Sequence, residues 1–348
     1  MTAKHAGLRA SGAPLPAVYD CAMLDLDGVV YRGGTAIDGV SDLLERVRSA
    51  GMKLAFVTNN AARTPEAVAA QLRELGVQAE TTDVVTSAQA AAREVSTRVE
   101  KGSAVLVVGG EGLDVALREL GLRPVHSAAD SPSAVVQGFH PDVGWRQLAE
   151  ASYVVTSGVP WVASNLDLTI PTADGIAPGN GTLVGAVASA VGHAPDVVAG
   201  KPHRPLFDET ITRIGAEHPI VVGDRLDTDI EGANTCGAHS LLVMTGVTDL
   251  AALCRAGAEQ RPTYVAWTLG GLLAEHAAPA RREDSWQLGG WSVTVHDAAL
   301  EVETTGADRN AGLRAVVSAA WSWYDDLPPK QTEGDLDIGA ASAALRLP

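Results

Sequence analysis

Basic residues and aromatic residues are both scarce in this chain of 348 residues. Lysine and arginine together number 26 against 42 acidic residues, which gives a formal net charge of −16 at pH 7. This balance argues against nucleic acid as a partner, because phosphate backbones are bound by basic surfaces. Aromatic residues make up only 4% of the chain, so little material is available for stacking a nucleotide base.

Long hydrophobic runs are also missing, and cysteine is rare. No stretch approaches the roughly 20 consecutive apolar residues that a membrane-crossing helix needs. Residues 1–16 are small, polar and proline-bearing and lack the apolar core of a secretory signal, so we expect a short disordered arm there. The three cysteines, Cys21, Cys236 and Cys254, are odd in number and widely spaced, which favours reduced thiols in a cytoplasmic protein.

Apolar strands alternate with amphipathic helices from Asp20 onward. The length allows two or three domains, and 46% hydrophobic with 20% charged residues is typical of a globular enzyme. The alternation predicts an α/β fold with a Rossmann-like parallel sheet, whose ligands bind beyond the carboxyl ends of the strands.

Two carboxylates one residue apart, Asp25 and Asp27, end an apolar run and are followed at once by Gly28. Aspartate side chains normally carry a negative charge at neutral pH, so the pair repels itself unless a cation lies between the two carboxylates. A hard divalent ion with oxygen ligands, above all Mg²⁺, meets that need. The same pattern occurs in surface turns and calcium loops, so alone it leaves a catalytic and a structural role open.

Three further polar motifs follow apolar strands or begin helices, and each one alone is more often structural than catalytic. They are Thr58, Asn59 and Asn60; Lys201 between Gly200 and Pro202; and Asp224 after Gly223, with Asp229 five residues on. Acids, a hydroxyl, amides and a lysine at the carboxyl ends of neighbouring strands describe a metal-assisted phosphoryl-transfer site.

With these motifs in this order, the chain resembles the haloacid dehalogenase superfamily. Within it, the similarity is to phosphatases with a large cap between the second and third motifs, the group of nucleotide, phosphoglycolate and glycerol phosphate phosphatases. The resemblance implies that Asp25 is the nucleophile that forms an aspartyl phosphate, and that Asp27 is the general acid and then the general base. It also implies Mg²⁺ held by Asp25, Asp224 and the main-chain carbonyl of Asp27, with Asp229 behind these ligands.

The same resemblance implies a phosphate-binding set. Thr58, Asn59 and the main-chain amide of Asn60 would hold the non-bridging phosphoryl oxygens. Lys201 would offset the negative charge of the nucleophile and of the phosphoryl group together.

The spacing of the motifs predicts where a cap is inserted. Only 30 residues separate Asp27 from Thr58, but 140 separate Asn60 from Lys201, enough for a whole α/β domain. We therefore predict a catalytic core over residues 17–81 and 179–280, an α/β cap over residues 82–178, and a small α+β extension over residues 283–348. A cap that closes over the site excludes water and selects the leaving group.

In the predicted cap and just after it, Asn165, Asp167, Asn180 and the glycines around Asp174 could line a polar pocket, but turn-forming roles are favoured for each. Arg63 could touch substrate or form an ion pair at a helix start. His203 is expected at the surface or behind the site.

The tail differs in kind from the rest of the chain. Residues 291–302 alternate at period two and predict a hairpin, and residues 313–324 predict an amphipathic helix. Residues 308–312 weakly resemble the coenzyme A pyrophosphate loop of acetyltransferases, but Arg314 replaces its second glycine. We favour packing on the core or on another subunit, because the tail carries several large apolar side chains: Trp286, Trp291, Trp321 and Trp323.

The sequence thus predicts a cytoplasmic, Mg²⁺-dependent phosphatase of small phosphorylated metabolites. Glycerol 3-phosphate or phosphoglycolate is favoured on resemblance, with nucleoside monophosphate or pyridoxal phosphate as the alternative. A phosphotransferase is the rival enzyme, and a metabolite-binding regulatory or scaffold protein is the rival from another class. We also expect a homo-oligomer and no membrane partner.

Overall fold

The computed structural model describes residues 7–172, 174–327 and 335–346. The chain divides into two compact units, Met1–Leu54 with Glu217–Pro348 and Ala55–Ala216. Among the described residues, no helix is both long enough and apolar enough to cross a membrane. None of the three cysteines forms a disulfide within the part of the chain that the structure describes, and Cys21 and Cys254 are buried.

Four parallel strands of the first unit are neighbours in one sheet, in the order Tyr264–Ala266, His239–Val243, Pro219–Gly223 and Cys21–Leu24. Every residue of Cys21–Leu24 is buried, as expected for a parallel strand covered on both faces. The strand Lys53–Thr58 begins in the last two residues of the segment Met1–Leu54. The remaining elements around these strands are the short strands Tyr31–Arg32 and Thr35–Ala36, the helices Val40–Ser49, Glu231–Cys236 and Leu250–Cys254, the helical turns Leu15–Ala17, Ala258–Gln260 and Leu269–Leu273, and the wide helical turn Leu226–Ile230.

The tail of the same unit is a four-stranded antiparallel sheet, with neighbouring strands Ala280–Arg282, Ser285–Leu288, Trp291–His296 and Ala299–Thr304. The predicted hairpin is its last pair, and the first two strands were not predicted. The helix Arg309–Asp326 follows, with Asp308 accepting the N–H of Asn310 at 2.9 Å as its cap.

The tail packs on the core within the first unit. Trp291, Val316 and Trp321 belong to one hydrophobic cluster with Leu242 and Val265 of the parallel sheet. Polar contacts reinforce it: Trp321 Nε1 donates to the Leu253 carbonyl at 2.8 Å, and Arg261 forms two 2.8 Å hydrogen bonds to the Asp325 carboxylate. The sequence left open whether the tail packs on the core or on another subunit. The structure shows that the core covers the apolar face of the tail.

The expectation of a disordered N-terminal arm is wrong where the structure describes the residues, and the chain is also ordered near its C-terminal end. In the N-terminal segment, Leu8 and Leu15 are buried, and the Arg9 N–H donates to the Thr263 carbonyl at 3.0 Å. After residue 334, the helix Gly339–Ala344 is formed and Leu345 is fully buried. Each short segment is held by apolar anchors that sequence periodicity cannot reveal. Residues 1–6 and 328–334 lie outside the described residues.

The second unit contains a five-stranded parallel sheet in the order Val197–Val198, Trp161–Ala163, Ala134–Gln137, Ala104–Val108 and Arg123–Val125. Leu106, Val135 and Trp161 pack there against helices Trp145–Thr156 and Asn180–Val191. The end of Lys53–Thr58 pairs in parallel with Val84–Thr86. The other elements are the strand pair Thr169–Thr172 and Gly175–Pro178, the helices Pro65–Glu74, Ser87–Ser96, Glu111–Glu119 and Arg204–Ile214, and the turns Thr81–Asp83 and Ala128–Asp130.

A buried histidine of the first unit makes stability depend on pH. His276 is 1% exposed, and its Nδ1 accepts from Arg314 Nη2 at 2.9 Å while Nε2 contacts the Gly271 carbonyl at 2.8 Å. Arginine can only donate, so the ring is neutral with its proton on Nε2. Burial, helped by the Arg314 charge, lowers the pKa of His276 from 6.5 to about 4.

We expect the free energy of unfolding to fall by about 3 kcal/mol through this group between pH 7 and pH 4, because the unfolded state binds the proton first. Urea unfolding of the wild type and of His276→Asn across that range measures it. Asparagine offers Arg314 an acceptor but does not titrate, and the carboxylates contribute equally to both proteins. The advantage of the wild type over the variant should therefore shrink as the pH falls, and parallel curves would contradict the assignment.

Candidate active site

Three acids predicted from strand ends come together in the first unit. The Asp25 N–H donates to the Val222 carbonyl at 2.9 Å, which continues the pairing of Cys21–Leu24 with Pro219–Gly223 and aligns the two strand ends. One carboxylate oxygen from each of Asp25, Asp224 and Asp229 lies within 4.8 Å of the others. Asp224 and Asp229 are each 1% exposed. An all-oxygen donor set of this spacing fits a hard divalent cation such as Mg²⁺.

The glycine after the acid pair is required by close packing. Gly28 has φ +83°, and a Cβ built there would lie 2.5 Å from Asp224 Oδ2. Its N–H donates to the Tyr31 carbonyl at 2.7 Å, which closes the turn. The Asp27 side chain is exposed beside this turn and is not part of the carboxylate group. A solvent-facing carboxyl group is free to exchange a proton with water.

Residues 245–248 also reach the acids, and the sequence did not reveal them. The Val247 N–H donates to Asp224 Oδ2 at 2.6 Å, and the Thr248 N–H donates to the Asp224 carbonyl at 3.2 Å. Thr245 Oγ1 donates to the Gly28 carbonyl at 2.6 Å. One signal was available, because these residues follow His239–Val243, another parallel strand of the same sheet.

The predicted phosphate-binding residues lie in the second unit. Thr58 ends its strand at 9% exposure, and its Oγ1 accepts the Asn60 N–H at 3.1 Å. Lys201 is 4% exposed, and its Nζ donates to the Val57 carbonyl at 3.4 Å. The amide of Asn60 therefore already has a partner inside its own loop.

The Asn59 side chain ties three loops of this unit together. Its Oδ1 accepts the Lys201 N–H at 2.8 Å, while Nδ2 donates to the Lys201 carbonyl at 3.1 Å and to Asp167 Oδ2 at 3.2 Å. Both amide hydrogens are then used. A Cβ at Gly200 would lie 2.6 Å from Asn59 Oδ1, so only glycine allows Lys201 to approach this closely.

The asparagines considered as pocket residues support main chain instead. Asn165 Nδ2 donates to the Asn59 carbonyl at 2.7 Å, and Asn180 Nδ2 donates to the Asn165 carbonyl at 2.7 Å. Both residues are nearly fully buried. Arg63 donates to the Ala67 carbonyl at 2.7 Å, within its own helix start, and His203 is exposed.

Two family models of the same kind match separate segments of the chain. A haloacid dehalogenase-like hydrolase model matches residues 22–123, and a HAD-hydrolase-like model matches residues 198–272. The chain belongs to the haloacid dehalogenase-like hydrolases. It is 43% identical to the D-glycerol 3-phosphate phosphatase of Mycobacterium tuberculosis over 307 residues, 87% of this chain and 86% of that one.

A further relative and two solved structures that are similar to this chain are also phosphatases. The acid sugar phosphatase of Staphylococcus aureus is 35% identical over 67% of this chain and 89% of its own. Crystal structures of the Mycobacterium tuberculosis glycerol phosphate phosphatase with calcium and with magnesium give TM-scores of 0.84 and 0.83 at 40% and 39% identity. Each covers 96% of this chain and 98% of the solved chain.

A third family model, for a GCN5-related N-acetyltransferase-like domain, matches residues 288–346. This match agrees with the weak acetyltransferase resemblance of residues 308–312. The Asp308 carboxylate already accepts the Asn310 N–H, and it would repel an anion at that position. A Cβ at Gly312 would lie 2.7 Å from the Trp291 ring, so this glycine serves packing.

Proposed function

We propose that this protein hydrolyses small phosphomonoesters with the help of Mg²⁺, through a phosphoryl group carried on Asp25. The observation that carries the proposal is the convergence of Asp25, Asp224 and Asp229 in one carboxylate group. Membership in the haloacid dehalogenase-like hydrolases and the phosphatases among its relatives support it.

In the proposed first step an Asp25 oxygen forms a bond to phosphorus, and the bond from phosphorus to the ester oxygen breaks. Asp27, in its acid form, gives its proton to the departing alkoxide. In the second step water attacks phosphorus, Asp27 takes the proton from that water, and the bond to Asp25 breaks to release inorganic phosphate. The exposure of Asp27 supports this role, because it must return to the same proton state in each cycle.

Asp25, Asp224 and the main-chain carbonyl of Asp27 are proposed to hold the ion, with Asp229 supporting them. A divalent ion at such a site supplies positive charge that offsets the repulsion between a carboxylate nucleophile and a phosphate ester. The Arg225 N–H donates to Asp229 Oδ2 at 3.2 Å, so this acid is oriented by its own loop.

The phosphoryl oxygens are proposed to be bound by Thr58, by Asn59 and Asn60, and by Lys201. Because the Asn59 side chain is fully engaged, we assign its contribution to the main-chain N–H. The Asn60 N–H would have to exchange Thr58 Oγ1 for a phosphoryl oxygen. Such an exchange costs little, because one hydrogen bond replaces another.

Glycerol 3-phosphate is the substrate we favour, since the relative that is 43% identical is named for it. Phosphoglycolate, sugar phosphates, nucleoside monophosphates and pyridoxal phosphate are the alternatives. The cap proposed over residues 82–178 would select among them. The core over residues 17–81 and 179–280, the extension over residues 283–348, a cytoplasmic location and a homo-oligomer belong to the same proposal.

The experiment that tests the function is phosphate release from a panel of these esters with Mg²⁺ and with chelator. We expect glycerol 3-phosphate to give the highest kcat/KM. The chelator should abolish turnover, because without a cation the negative carboxylates repel the phosphate ester. If glycerol is added and a new phosphate ester forms in place of free phosphate, the protein acts as a phosphotransferase. Metabolite binding without hydrolysis of any ester would instead support the scaffold alternative.

A further inference from the structure

Residues 245–248 hold Asp224 at two points, its carboxylate and its main-chain carbonyl. One Asp224 oxygen accepts the Val247 N–H at 2.6 Å, and the Asp224 carbonyl accepts the Thr248 N–H at 3.2 Å. A hydrogen bond from N–H to a carboxylate is charge-assisted and stronger than one between neutral groups. The side chain and the main chain of one acid are therefore fixed by a single short loop.

Two glycines leave room for this arrangement. A Cβ at Gly246 would overlap the Asp224 carboxylate, and a Cβ at Gly28 would lie 2.5 Å from its Oδ2. The carboxylate thus lies between the main chain of Gly28 and that of Gly246, and neither residue carries a side chain. Contacts this close leave it little freedom to rotate.

Thr245 connects this loop to the turn that follows Asp25 and Asp27. Its Oγ1 donates to the Gly28 carbonyl at 2.6 Å, next to Asp27, while its own carbonyl accepts from the Arg32 guanidinium. The hydroxyl therefore couples the position of Asp224 to that of the turn after Asp25. No step of the proposed reaction uses Thr245.

We propose that residues 245–248 form a positioning loop that preorganises the metal-binding acids, with Thr245 as its key positioning residue. The inference rests on the proposed function, because it assumes that Asp25 and Asp224 bind Mg²⁺. Without a fixed support, like-charged carboxylates within 4.8 Å would move apart in the ion-free protein. Bringing them back together would then reduce the affinity for the ion, as is usual when groups that orient metal ligands are lost.

The test compares Thr245→Val with Thr245→Ser by isothermal titration calorimetry of Mg²⁺ into the full chain without substrate. Valine keeps the shape but removes the hydroxyl, and we expect it to weaken binding by about 10-fold or more, while serine should restore it. Thr212→Val is the matched control, because it removes an exposed hydroxyl that donates to the Asp208 carbonyl of its own helix.

Arg32→Ala provides a second route that avoids a buried substitution, because Arg32 is exposed. It should weaken Mg²⁺ binding in the same direction by a smaller factor. The positioning role is overturned if both Thr245→Val and Arg32→Ala remain folded and bind Mg²⁺ as tightly as the wild type. A wild type that binds no Mg²⁺ and hydrolyses no ester would instead overturn the proposed function itself.

Discussion

Replacing Asp25 by asparagine is expected to lower kcat for phosphate release by a factor on the order of 10⁴ to 10⁶, as loss of a nucleophile does in other enzymes. The neutral amide keeps the size of the side chain and the N–H···O bond of residue 25 to the Val222 carbonyl. It removes the oxygen that would attack phosphorus and one negative charge from the acid group. The effect should therefore fall on kcat without unfolding the protein.

The measurement is steady-state phosphate release together with acid-quenched trapping of labelled phosphoryl groups on the protein. Wild-type protein should carry the label on the peptide that contains Asp25, and Asp25→Asn should carry none. Asp42→Asn, the same change in the first turn of the helix Val40–Ser49, is the matched control and should keep full activity. More than a hundredth of wild-type turnover in Asp25→Asn would show that another group attacks phosphorus.

The positions of Asp25 and Asp224 could be predicted because each follows an apolar strand, and Asp229 lies five residues after Asp224 in the turn Leu226–Ile230. Strand residues such as Leu24 and Val222 are buried and paired in register, so the residues after them leave the sheet at the same edge. Burial of an apolar strand follows from its side-chain types, and these can be read from a sequence. The convergence of Asp25, Asp224 and Asp229 follows from them.

The supports of those acids could not be predicted in this way. Val247 acts through its N–H, a group that nearly every residue has, and its side chain faces solvent. Likewise, the Asn59 amide looked suited to phosphate, but its hydrogens go to Lys201 and Asp167, which lie more than 100 positions away in the chain. Such partners are determined by how distant loops pack together, and a local sequence pattern does not predict that packing.

Short elements were missed for a related reason. The strand Ala280–Arg282 is exposed along its length, so it shows no alternation of apolar and polar residues. Leu8 and Leu15 are isolated apolar residues in a polar segment, yet both are buried. Val197–Val198 joins the five-stranded sheet through only two residues. In each case pairing with distant chain determines the structure, and local propensity contributes little.

Replacing Lys201 by methionine is expected to lower kcat/KM by about a thousandfold. Two like charges about 4 Å apart repel by about 4 kcal/mol at an effective dielectric near 20, and this ammonium is proposed to offset that repulsion between Asp25 and the ester. Methionine is similarly long and unbranched, so a 4% exposed site can accept it. The main-chain bonds of residue 201 to Asn59 do not depend on the side chain and should hold the loop in place.

Kinetics of Lys201→Met and of Lys201→Arg, with thermal unfolding as the check on folding, measure this contribution. Lys101→Met is the matched control, because it removes an exposed ammonium from the same unit and should change nothing. Inhibition by inorganic phosphate adds an independent readout, since the lost charge should weaken product binding as well as turnover. Lys201→Met with more than a tenth of wild-type kcat/KM would mean that the cation does not offset the repulsion. The divalent ion held by the metal-binding acids would then have to offset the repulsion alone.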